Sequence, residues 1–203
     1  QALEKATTPS LKALQLYSQG MALITQLPAR DGEWRTARSL FERAIEEDPE
    51  FASAYVYLLW SWQRGMPWAD RAKQRAAAER ALELSQHATE RERLFIRATY
   101  FQLHERREEA RAAYEALVRL YPDHYWAVNN LLRLSGPDEA LPYVLRLAEL
   151  RPKGYRESVM AVESLIRAGR AGEAGVYVET ARANLRASGV QPLYWLECFP
   201  IWQ

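Results

Sequence analysis

Apolar positions along the chain recur at helical spacing and are cut at intervals by proline. Ala37, Phe41 and Ala44 lie four and three residues apart, which places two small side chains and one aromatic on a single helical face. Asp48 and Pro49 end that run, because proline lacks an amide hydrogen and pushes the preceding residue out of helical dihedrals. The spacing returns as Ala110, Tyr114, Leu117 before Pro122, as Ala140, Val144, Leu147 before Pro152, and as Ala174, Val178, Ala181 before Arg186. Gln74, Ala78 and Ala81, ending at Gln86, form a thinner copy. Each copy predicts one helix whose small residues let a partner helix come close.

The partner helices precede these runs. Leu14, Tyr17 and Gly20 form the packing face of the first, with Gly20 at the point of closest approach, and Tyr55, Leu58 and Trp62 form that of the second. Leu94, Ala98 and Phe101 carry the third, and the fourth and fifth open at Tyr125 and Tyr155. Thr8 is expected to cap the first helix with Pro9 at its first position, and Thr89 with Glu92 has the spacing of a capping box. Extra residues at 27–31 predict a long first turn, RGMPWAD a long second one, and Gly136 with Pro137 a tight one; Ala76, Ala77, Ala78 and Ala81 either let neighbouring helices come nearer or leave room for Trp68 to fill.

An Ala, Phe, Ala, Pro pattern of this kind resembles the second helix of the tetratricopeptide repeat, whose period is roughly 34 residues. The resemblance implies an all-α, right-handed superhelical array of about five antiparallel helix pairs, with repeats at 11–49, 52–86, 91–122, 125–152 and 155–186. One pair cannot cover its own apolar face, so neighbours must stack and the ends need closing. The tail 187–203, with Tyr194, Trp195, Phe199 and Trp202, is expected to cap the last repeat, or else to pair two chains or insert into its own groove.

Composition narrows the function. The 203 residues are 48% hydrophobic and carry 27 basic against 26 acidic side chains, so no net field gathers nucleic acid or anionic lipid. Cys198 is the only cysteine, which excludes an internal disulfide and a multi-cysteine metal site. His87, His104 and His124 lie 17 and 20 residues apart with no pair one helical turn from a second metal ligand, and GRAGEAG lacks the Gly-Lys-Ser/Thr ending of a phosphate loop. Carboxylates fall at helical spacing with arginine and read as solvated ion pairs. The expectation is a non-catalytic chain without cofactor, metal, nucleic acid or membrane insertion. Its start at Gln1 suggests a piece of a longer protein.

Three stretches go beyond the generic repeat: ATTPSLKALQLYSQG at residues 6–20, TERERLFI at 89–96, and VNNLL at 128–132. They resemble the repeat region of bacterial membrane-anchored serine/threonine protein kinases and related regulators. That likeness implies a sensory or docking half, placed outside the cytoplasm, that binds a peptide or protein. The groove-facing positions of such arrays fall on Tyr17, Met21 and Ile24, on Val56, Trp60 and Gln63, and on Phe95, Thr99 and Gln102. In the later repeats they fall on Trp126, Asn129 and Arg133, then Arg156, Val159 and Glu163. Aromatics and arginine dominate binding energy where they are desolvated, and an asparagine can pair with a peptide backbone. For Trp60 and Trp126 the groove and the core are equally open readings. Val56 and Trp60 stand where a clamp for a terminal carboxylate would begin, so an internal peptide segment or a folded partner is expected. A self-associating scaffold built on the tail is the alternative.

Overall fold

A computed structural model describes residues 8–25, 31–65 and 71–188. Among them the chain is all α-helical. Ten α-helices follow one another: α1 (Leu11–Thr25), α2 (Asp31–Glu47), α3 (Ala52–Gly65), α4 (Arg71–Leu84), α5 (Glu90–Leu103), α6 (Arg107–Leu120), α7 (Tyr125–Leu134), α8 (Ala140–Leu150), α9 (Tyr155–Arg167) and α10 (Ala171–Ser188). Consecutive helices pack in pairs, α1 on α2 through α9 on α10. The long turns after α1 and α3, Trp68 and the aromatic tail lie outside the described residues.

The chain divides into two compact units, residues 1–122 and 123–203. In the first, α1 to α6, the core is an aromatic file. Tyr17 stacks on Phe51 at 4.8 Å and on Phe41 at 5.9 Å, Phe41 and Tyr57 meet at 6.0 Å, Tyr57 reaches Phe95 at 6.0 Å, and Phe95 reaches Tyr114 at 6.1 Å. Rings at such separations gain about 0.5–1.5 kcal/mol per pair beyond the area they bury. Gly20 sits against this file as the spacing predicts: a Cβ there would lie 2.6 Å from Phe41 Cε1. In the second unit, Ala174, Val178, Ala181 and Leu185 of α10 close on Val162 and Leu165 of α9.

The helix ends show which local signals hold. Thr89 and Glu92 form the reciprocal capping box that opens α5. Thr8 does not cap α1. The helix starts at Leu11, and Ser10 Oγ accepts from the Ala13 amide at 3.1 Å, the bond an N-cap makes. The Thr8 hydroxyl instead donates to Asp48 Oδ2, tying the start of the first pair to the end of α2. Asp48 uses its other oxygen to accept the Glu50 amide at 3.0 Å.

Candidate recognition surfaces

The same position after the second helix of a pair recurs three times with one backbone geometry. The amide of Asp48 donates to Ala44 O at 3.0 Å, that of Tyr121 to Leu117 O at 2.8 Å, and that of Arg151 to Leu147 O at 3.0 Å. In each case the side chain reaches back to the beginning of its own pair. Asp48 takes the Thr8 hydroxyl, Tyr121 donates its hydroxyl to Glu90 Oε2 at 3.2 Å, and the Arg151 guanidinium lies 3.4 Å from the Tyr125 ring centroid.

Three residues further on, each following helix begins from a matching site. Phe51, His124 and Gly154 precede α3, α7 and α9, and the third residue of those helices is Ala54, Ala127 and Glu157, all wholly enclosed. At the third copy the aromatic is absent and the alanine has grown into a carboxylate. Glu157 Oε2 occupies the space a side chain at 154 would take, since a Cβ on Gly154 would stand 2.2 Å from it. Glu157 Oε1 accepts the Tyr125 hydroxyl at 2.6 Å, and Oε2 has no hydrogen-bond partner. Burial raises the Tyr125 phenol above its ordinary pKa, with the Glu157 charge adding to the shift and Arg151 opposing it.

Of the groove positions in the first unit, Met21, Trp60, Gln63 and Gln102 are half-buried. Tyr17 is half-buried within the aromatic file. Val56, Phe95 and Thr99, expected on a groove wall, are enclosed with exposures of 1%, 4% and 0%, and Ile24 is enclosed as well. The reason is that α3 packs on α5 as well as on α4, which covers the middle of those faces. Thr99 Oγ1 lies 3.3 Å from the Tyr114 hydroxyl, which donates to Gln102 Oε1 at 2.8 Å. Gln63 Nε2 reaches Gln74 Oε1 at 3.5 Å, and Trp60 packs on the cluster of Leu59, Ala77 and Ala78. Trp62 packs there too, under the Lys73 ammonium at 4.8 Å.

In the second unit Trp126 is half-buried, with Tyr125 edge-on to it at 5.2 Å, and Arg156 is half-buried. Arg133 and Glu163 are exposed. Asn129, expected to hold a peptide backbone, is buried among the packing residues of α7, as are Asn130 and Val159. Within each unit, solvent therefore reaches some of the expected site residues and not others. Arg151 and Glu157 escaped sequence reasoning; the one signal for them was the break in the Phe51, His124, Gly154 series. Among the described residues no group of three or more His, Cys, Asp and Glu is placed to hold a metal, and no helix is long and apolar enough to cross a membrane.

The succession of packed helix pairs and the close approach at Gly20 agree with the tetratricopeptide-type array that the sequence predicts. The fold is of that type. No protein-family model matches the chain, and no curated protein matches it. Similar solved structures exist. The MamA protein is 15% identical, with 90% of this chain and 97% of that one covered at a TM-score of 0.46. A MamA segment from Desulfovibrio magneticus RS-1, starting at residue 41, is 10% identical, covering 89% and 98% at 0.48. YrrB, a TPR protein with an unusual peptide-binding site, is 16% identical, covering 94% and 92% at 0.44.

Proposed function

We propose that this chain is a non-catalytic module that recognises a peptide or protein segment. The observation that supports it is the division between floor and rim in the first unit. Ile24, Val56, Phe95 and Thr99 are enclosed, while Met21, Trp60, Gln63 and Gln102, each in the C-terminal half of a first helix, keep apolar and amide surface within reach of solvent. An aromatic ring beside side-chain amides supplies what an extended peptide needs: apolar contact for its side chains and hydrogen bonds for its main chain.

Selection of random twelve-residue peptides on the immobilised full chain tests this. Enriched peptides should bind Trp60→Ala and Gln63→Ala variants at least about tenfold more weakly, a loss of roughly 1.4 kcal/mol, with helical circular dichroism unchanged. Absence of enrichment over a blank surface, or equal binding by the variants, would refute the reading. The likeness of residues 6–20, 89–96 and 128–132 to kinase-linked arrays supports a further step: the module serves as the sensory half of a membrane-anchored serine/threonine kinase. A parent reading frame with neither a kinase domain nor an apolar span upstream of Gln1 would remove that step.

A further inference from the structure

Resting on the reading of the chain as a peptide-recognition module, we propose that Arg151 and Arg156, beside Trp126 in the second unit, form an anchor for an acidic side chain of a peptide held at that unit.

The charges around Arg151 do not balance. The titratable groups that bear on it are Tyr125, Glu157 and Arg156, so two guanidinium groups share one carboxylate. That carboxylate is already engaged, because Glu157 Oε1 holds the Tyr125 hydroxyl at 2.6 Å. Arg156 Nη1 approaches the same oxygen only to 3.6 Å, beyond hydrogen-bond reach, and its side chain is 41% exposed. The Arg151 side chain makes no hydrogen bond or ion pair among the described residues, and its Nη1 is a buried donor without an acceptor. Glu149, two residues before it, is taken by Arg146 at 2.8 Å.

The comparison within the chain sharpens this. In the equivalent slots Asp48 and Tyr121 make their tie by hydrogen bonding, so their polar atoms are used. Arg151 makes its tie through the flat face of the guanidinium, 3.4 Å from the Tyr125 centroid and 5.6 Å from that of Trp126. Stacking fixes the plane of the fork and leaves its donors unspent. Burial lowers the Arg151 pKa from its ordinary value, a sign that its charge is under-compensated where it sits. A carboxylate is the group whose two oxygens match such a fork, and the partly exposed Arg156 side chain provides the second contact. The neighbouring Trp126 gives an adjoining apolar residue a surface.

Three probes test the anchor on the full chain: a fluorescein-labelled peptide of alternating glutamate and alanine, its glutamine counterpart, and sodium acetate as competitor. Fluorescence anisotropy should show the glutamate peptide binding about tenfold or more tightly than the glutamine one. Arg156→Ala should erase that preference with the melting temperature unchanged, and Arg151→Lys, which keeps the charge but loses the fork, should reduce it. Equal affinity for both peptides, binding of neither, or an unaltered preference in Arg156→Ala overturns the proposal. Displacement by acetate at concentrations where the glutamate peptide binds no better assigns the pair to small anions and overturns it too. If library peptides bind without acidic enrichment, the anchor fails while the recognition module stands.

Discussion

Replacing Gly20 by alanine sets two known effects against each other at one atom. Within α1, alanine is favoured over glycine by about 1 kcal/mol, because glycine loses more backbone entropy on entering a helix. The added Cβ would lie 2.6 Å, 2.9 Å and 3.1 Å from Cε1, Cζ and Cδ1 of Phe41. That ring is wholly enclosed and held by Tyr17 at 5.9 Å and Tyr57 at 6.0 Å, so it has nowhere to swing. Overpacking of a closed core costs typically about 1–3 kcal/mol. Contacts this short against a fixed ring place the cost at the upper end, for a net loss of about 1–2 kcal/mol.

Gly172 supplies the control. It lies in α10, where a Cβ would meet nothing within 4 Å, so Gly172→Ala should be neutral or stabilising by a few tenths of a kcal/mol. Urea unfolding followed by circular dichroism measures both, with the midpoint compared at equal slope. A second variant isolates the cause: in a Phe41→Leu background the Gly20→Ala penalty should shrink, giving a coupling of about 1 kcal/mol or more. A Gly20→Ala protein as stable as its parent, or strict additivity with Phe41→Leu, would refute the close-approach argument.

Glu105 and Gly169 occupy matching turns with φ of 60° and 71°; Glu105→Gly should remove about 1 kcal/mol of left-handed strain and lose the exposed ion pairs to Arg71 and Arg75. Its unfolding midpoint should match the parent at low salt and exceed it in strong salt, where the pairs are screened. Thr89→Ala removes the capping box and should cost about 1 kcal/mol, read as faster amide exchange in the first turn of α5. Stability should fall as pH rises past about 10, the ordinary phenol value. Tyr17, Tyr57 and Tyr125 all have raised folded pKa values through burial, so the folded state keeps protons that the unfolded state releases; an alkaline titration of unfolding free energy checks the slope, which Tyr125→Phe should flatten in part. Glu157→Ala alone should destabilise by leaving a void and an unpaired Tyr125 hydroxyl, whereas Gly154→His with Glu157→Ala, which copies His124 and Ala127, should recover part of that loss in thermal melts.

Helix existence and pairing were legible because their causes are local. Proline after Asp48, small residues four and three apart, and the Thr89 and Glu92 spacing all act within one or two turns, and the structure keeps each of them. Where a distant partner competes, local reasoning loses. Thr8 has the chemistry of a cap, yet its hydroxyl is held by Asp48 forty residues on, and Ser10 caps the helix instead. The site was legible only in part for the same reason. Spacing puts Val56, Phe95, Thr99 and Asn129 on one side of their helices, but it cannot say what lies across from that side. The packing of α3 on α5 closed the first three in. Glu157 reads in sequence as one more solvated carboxylate, and only the neighbouring pairs reveal that its position is interior.

The places where the pairs differ most are those where the backbone asks least of the side chain. At Asp48, Tyr121 and Arg151 the amide is satisfied by the same carbonyl three times over, so the side chain has no part in ending the helix. It has only to bridge to the start of its pair, and a carboxylate, a phenol and a guanidinium each do so. The Phe51, His124, Gly154 series obeys a second constraint, which is volume. A large residue there goes with alanine three places on, and glycine goes with glutamate, because the interior must stay filled whichever residue fills it. Polar chemistry can therefore enter this fold without breaking it, provided bulk is returned nearby. At α9 the exchange brings a buried carboxyl group, and with it an arginine stacked rather than bonded. A repeat that differs from its neighbours in this way has the means to bind something they do not.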